Sequence, residues 1–92
     1  MAMNREFVQK YGTSGSAINR AIREEIPGMD GIMDALERLS VVRQHATGER
    51  YKLLVRIEDA YVRARDAAKQ LIRLKYAADD EQQERGASWD NV

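Results

Sequence analysis

One short stretch concentrates the side chains that read DNA bases. In GTSGSAINRAI (12–22) and just beyond it, Ser14, Ser16, Asn19, Arg20 and Arg23 fall on or near the side of a helix opposite Ile18, Ala21 and Ile22. Asn can bond adenine through two edge atoms and Arg can do the same to guanine, so these types on an outward helical face suit major-groove reading. A second set of cations lies later. Residues 50–76 carry eight Lys/Arg against three Asp/Glu. Lys52, Arg56 and Arg63 share one helical side, and Arg65, Lys69 and Arg73 share another. Such a strip can contact phosphates; it also reads as a solvated face with internal pairs such as Asp59–Arg63 and Asp66–Lys69.

Catalytic chemistry finds no comparable cluster, and the chain is expected not to be an enzyme. His45 is the single histidine. It lies by an expected helix end, with no nucleophile identifiable beside it. There is no cysteine, which excludes a thiolate nucleophile, a disulfide framework and a Cys-built zinc site. Asp79, Asp80, Glu81 and Glu84 lack the spacing of a Ca²⁺ loop. Neither a phosphate-binding glycine loop nor HExxH occurs. No metal or cofactor is expected.

The elements that must position these residues follow from composition and period. With 92 residues, sparse glycine and a single proline, the chain reads as one all-α domain. The 15 Lys+Arg equal the 15 Asp+Glu, so net charge alone argues for no polyanionic partner. No apolar run approaches the ~20 residues that cross a bilayer, and MAMNREFVQK lacks a signal-peptide h-region. A cytoplasmic protein without a membrane partner is expected.

Four segments emerge. Residues 4–11 form a short helix ending at Gly12. Residues 16–26 form a second, with Ser16 as cap, stopped by Pro27-Gly28. A third runs from an Asp30 cap to about Ala46, with Ile32, Leu36, Leu39 and Val42 on one face. The fourth, about 49–84, is capped by Thr47. Along it Leu53, Ile57, Ala60, Ala64, Ala67, Leu71, Leu74 and Ala78 alternate spacings of four and three, a heptad seam. The third and fourth segments are expected to fold into an antiparallel hairpin along that seam. Leu54, Tyr61, Ala68 and Ile72 widen the stripe, while Tyr51, Val55 and Val62 fall on another face. A helix apolar on several sides is usually buried on several sides, so self-association is expected through Leu53, Leu54, Ile57, Tyr61, Val62, Leu71 and Leu74; the alternative is that residues 4–26 fold back and cover the extra surface within one chain. The organisation expected is 1–28 as a DNA-binding segment, 29–84 as an oligomerising hairpin, and 85–92 as a polar tail. The tail carries Trp89, an anchor for a partner.

GTSGSAINRAI resembles the turn and recognition helix of the Cro repressors of lambdoid phages. The shared part is a Gly, three residues, then Ser-Ala-Ile-Asn-basic-Ala-Ile, within 4–23. The resemblance implies a helix-turn-helix, with Ser16, Ala17, Asn19 and Arg20 at or near DNA and Ile18 and Ile22 structural. No β-ribbon follows, and only a few residues precede the first helix where such a unit normally has an extra bracing helix; the 30–46 helix could supply that bracing from the other side. A small DNA-binding head followed by a helical hairpin also looks like a phage terminase small subunit. A phage or plasmid transcription regulator has the same order of parts, and a phage-encoded chain would work in the host cytoplasm. The alternative is a non-enzymatic adaptor or inhibitor that docks a protein through the hairpin and the acidic Trp-containing tail.

Overall fold

Asn4 starts the fold by accepting a hydrogen bond from the Phe7 backbone N–H at 3.0 Å, which satisfies one of the free donors at a helix start. In the computed structural model, which describes residues 3–78, four helices follow. They are α1 (Arg5–Tyr11), α2 (Ala17–Glu25), α3 (Met29–Gln44) and α4 (Gly48–Lys75). The fold is all-α, with α3 and α4 forming the antiparallel hairpin. The one exception to helical pairing among the described residues is an isolated antiparallel bridge from Met3 to Ala77. It is reinforced by the Asn4 N–H donating to the Tyr76 carbonyl at 2.9 Å. No helix in the described part is long and apolar enough to cross a membrane.

Gly12 ends α1 at φ 84° and ψ −163°, a combination that is essentially glycine's alone. The turn thus points α2 back across α1. Gly28, at φ 83°, reverses the chain after Pro27. Two expected boundaries differ. Gly28 caps α3 and Asp30 sits in its first turn, where its charge favours the helix dipole without capping. At the other end α4 stops at Lys75, because Tyr76 (φ −112°, ψ 28°) leaves helical geometry to form the pairing with Asn4. Residues 79–84, which the periodicity assigns to the same helix, lie outside the described residues.

The core gathers at one end. Phe7, Tyr11, Ala17, Ala21, Ile22, Met29, Met33, Ala68, Ile72 and Tyr76 form one buried cluster, built from α1, α2, the start of α3 and the end of α4. The α1–α2 unit is therefore braced from two sides, by Met29 and Met33 and by Ile72 and Tyr76. The rest of the hairpin projects away, giving overall dimensions of 61 × 25 × 21 Å. Between Glu37 and Ala67 no residue is buried.

The seam that α4 turns inward is not the expected one. Leu54, Glu58, Tyr61, Arg65, Ala68, Ile72 and Tyr76 are all buried or half-buried, whereas Leu53, Ile57, Leu71 and Leu74 are 50, 47, 54 and 77 % exposed. Burying Ile72 and Tyr76 in the head core fixes the rotation of the helix. Two charged residues then join the inner stripe. Glu58 is taken up by Arg43 of α3 at 2.7 Å, and Arg65 borders a cleft. Of the residues expected to oligomerise, Leu54 and Tyr61 thus face inward and Val62 is half-buried, while the other four remain on the surface.

Candidate nucleic-acid interface

The turn at 13–16 and the first half of α2 form the exposed end of the head. Thr13, Ser14, Gly15 and Ser16 are all exposed. Ser14 accepts the Ala17 N–H on its carbonyl at 3.1 Å, and the Ser14 and Ser16 hydroxyls lie 3.1 Å apart. Ser16 occupies the cap position of α2 without making a side-chain cap bond. Ala21 and Ile22 are fully buried, so the inward face of α2 is as its sequence reads.

Two of the residues expected to touch DNA have other duties. Ala17 is only 3 % exposed and belongs to the core cluster, where its small side chain lets α2 pack closely, so it presents no methyl group to a groove. Arg23 is turned against α3, donating to Asp30 Oδ1 at 2.6 Å and Asp34 Oδ1 at 2.9 Å. Glu37 stands 4.0 Å away. The hydrogen bonds to Asp30 and then Asp34 hold the Arg23 guanidinium above its ordinary pKa. Its charge is neutralised locally, and it acts as a clamp between α2 and α3.

The rest is brought together. Arg20 is exposed and donates to the Tyr11 carbonyl, which anchors it across the α1–α2 turn. Asn19 is half-buried, and its Oδ1 is enclosed without a hydrogen-bond partner. A cleft of about 360 Å³ between α2, α3 and α4 is lined by Ser16, Asn19, Arg20, Arg65 and Lys69, with Leu36 and Glu37 of α3 forming its third wall. The Nε of Arg65 is likewise enclosed and unbonded, its nearest carboxylate being Asp66 at 3.8 Å. On the far side of the turn, Arg73 lines a second hollow with Gly12, Thr13, Ser14 and Gly15. Arg65, Lys69 and Arg73, four residues apart, therefore run along the turn and the start of α2. The expected internal pairs Asp59–Arg63 and Asp66–Lys69 do not form among the described residues.

A second polar cluster escapes a reading by motif. Glu25, at the end of α2, accepts from the Tyr11 hydroxyl and from the Tyr76 hydroxyl at 2.6 Å on one oxygen, and from Lys75 Nζ at 2.5 Å on the other. Lys10 donates to the Tyr76 hydroxyl at 3.3 Å. The Phe7, Tyr11 and Tyr76 rings pack edge to face or tilted, with centroids 5.1 to 6.5 Å apart. Burial pushes the Glu25 carboxyl upward, but the bonds from Lys75, Tyr11 and Tyr76 outweigh it and hold the group at about 2. Burial and then the Glu25 carboxylate raise the Tyr11 hydroxyl well above the ordinary tyrosine range. The aromatic i, i+4 pair Phe7/Tyr11 was the available signal. Tyr76 lies at the end of the periodic run and nothing local marks it.

The chain matches no protein-family model, no curated protein and no solved structure. The likeness to Cro and to terminase small subunits rests on the residues and the order of parts alone. His45 caps α3 at an exposed position. Among the described residues no group of three or more His, Cys, Asp or Glu side chains is placed to hold a metal ion. Trp89 and the acidic run Asp79, Asp80, Glu81 and Glu84, on which the adaptor reading leans, lie outside the described residues.

Proposed function

We propose that the chain is a small, non-enzymatic DNA-binding protein that grips the duplex with its 13–16 turn, the start of α2 and the α4 strip Arg65–Lys69–Arg73. The observation that supports this reading is the convergence of three cations of α4 on the exposed Ser14 and Ser16 of the 13–16 turn and Arg20 of α2. Phosphate contacts position a protein on DNA and base contacts specify the site. With Ala17 in the core and Arg23 clamped, base reading falls to Ser16, Asn19 and Arg20. Affinity then rests chiefly on phosphates, with modest sequence preference. Self-association through the hairpin multiplies these weak single-head contacts. A phage terminase small subunit or a phage or plasmid regulator, acting in the host cytoplasm, is the role that fits this order of parts.

The test is anisotropy of a labelled duplex titrated across a salt series. Each phosphate contact contributes a slope of about −0.9 in log K against log salt, so replacing Arg65, Lys69 and Arg73 by Ala should flatten the slope by about 2 to 3. Arg20→Ala should alter base preference, whereas Arg23→Ala should lower stability and leave preference unchanged. A slope that the triple replacement does not move would remove the strip from the interface, and absence of binding at low salt would overturn the reading.

A further inference from the structure

The helical hairpin leaves an ordered apolar stripe uncovered. Leu53, Ile57, Ala60, Ala64, Ala67, Leu71 and Leu74 keep spacings of four and three without interruption across α4, and the four large members are about half exposed or more. From Glu37 to Ala67 nothing is buried within one chain, so the projecting part of the hairpin has no core of its own. We propose that this stripe is a two-fold interface with a second copy of the chain, the two α4 helices running antiparallel. The proposal deepens the self-association in the DNA-binding reading, but it rests on residues that take no part in the DNA face.

Three arguments select a second copy. The first is steric. Paired antiparallel about the point between Arg65 and Asp66, Ile57 meets the partner's Leu74, Ala60 meets the partner's Leu71, and Ala64 meets the partner's Ala67. Layer thickness thus rises smoothly from the small centre to the large ends, and two-fold symmetry repeats each pairing. A parallel pairing would stack three consecutive Ala–Ala layers between pairs of Leu and Ile, a sharp waist that straight helices cannot follow. The second argument is electrostatic. In the antiparallel arrangement the flanking Arg63 lies beside the partner's Gln70, and the other flank is the apolar side of Leu54, Tyr61 and Ala68 that already faces the hairpin and the head, so no like charges oppose. The third is extent. The stripes of two copies offer on the order of 1,000 Å², where specific interfaces begin.

The stripe is also compatible with the head. At 100° per residue it lies nearly opposite Arg65, Lys69 and Arg73 on α4, so pairing leaves that strip open.

The experiment uses the full chain. Light scattering should give twice 10.5 kDa for the unaltered protein. Ile57→Glu with Leu71→Glu should give a single chain's mass, weaken dimerisation by ~100-fold or more, and leave the helical circular dichroism unchanged, since both sites are exposed outside the core. The chain holds no cysteine, so engineered thiols report register without interference. Ile57→Cys with Leu74→Cys together should form a disulfide-linked dimer under mild oxidation. Ile57→Cys alone should not, because its two copies would lie about 25 Å apart along the axis, beyond disulfide reach. A monomeric parent, a mass that the double Glu variant leaves unchanged, or a disulfide-linked dimer of the Ile57→Cys single variant would each overturn the proposal. Anisotropy on the same samples keeps DNA binding as a separate readout: a dimer that binds no DNA counts against the DNA reading only.

Discussion

Replacing Glu25 by Gln tests the energetics of the head where its parts depend most on one group. The carboxylate joins α1 through Tyr11, α2 through its own backbone, and the end of α4 through Lys75 and Tyr76. Its side chain is only 15 % exposed, while Lys75 is 57 % exposed. Folding depresses its pKa from 4.5 to about 2. Taken whole, that shift corresponds to about 3 kcal/mol, and screening at the exposed Lys75 end reduces the usable part to about 1–2 kcal/mol. The sign follows from the depression. The stabilisation is complete above the unfolded value, near pH 5, and is lost as pH falls toward the folded value. Glu25→Gln keeps the shape but places an N–H₂ group among hydroxyl and ammonium donors. It should therefore destabilise by about 1–2 kcal/mol at pH 7, a fall in Tm of roughly 4–16 °C for a domain this size. At pH 2.5 the difference should have largely vanished. Urea unfolding followed by circular dichroism at pH 7, 5, 3.5 and 2.5 gives both numbers. A destabilisation that stays constant from pH 7 to pH 2.5 would refute the assignment of this energy to an ionised Glu25.

Three further substitutions probe the packing and the turns. Ile22→Ala empties a fully buried position at the centre of the core and should cost about 2–4 kcal/mol, read from denaturant midpoints at unchanged m. A cost under about 1 kcal/mol would mean that the head collapses around the gap. Gly12→Ala and Gly28→Ala form a matched pair, since an added Cβ meets nothing within 4 Å at either site. The difference between them is then purely one of backbone. Gly12, at ψ −163°, should cost about 1–3 kcal/mol, and Gly28, at ψ −16° in the left-handed helical region, about 1 kcal/mol. Equal losses would argue against the distinction.

Period and punctuation made the four helices legible, because Gly12, Pro27-Gly28 and Gly48 interrupt the apolar rhythm where the backbone turns. The rotation of α4 was not legible. Apolar counting favours the unbroken Leu53–Leu74 stripe, whereas the stripe that packs includes Glu58 and Arg65, whose burial becomes acceptable only beside Arg43 and the α2 cleft. The same limit applies to Arg23. Its type and phase suit a base contact, and only the return of α3 reveals that Asp30 and Asp34 have taken it. Ala17 shows the converse case, since small size serves close helix packing as well as a groove. The end of α4 depended on a partner at the other end of the described chain, the Asn4 N–H, which no local window contains.

That last contact has a kinetic consequence. The two arms of the hairpin are joined by a three-residue turn at 45–47, so they meet through a short loop and can close early. The head cannot. Phe7, Tyr11 and Ile22 are made first, yet Ala68, Ile72 and Tyr76, which complete their core, and Ala77, which pairs with Met3, are made more than forty residues later. During synthesis the α1–α2 unit must therefore wait, unpacked, until the end of α4 has left the ribosome. Cleavage in the 45–47 turn would likewise divide the core between two fragments that regain the head only by reassociating.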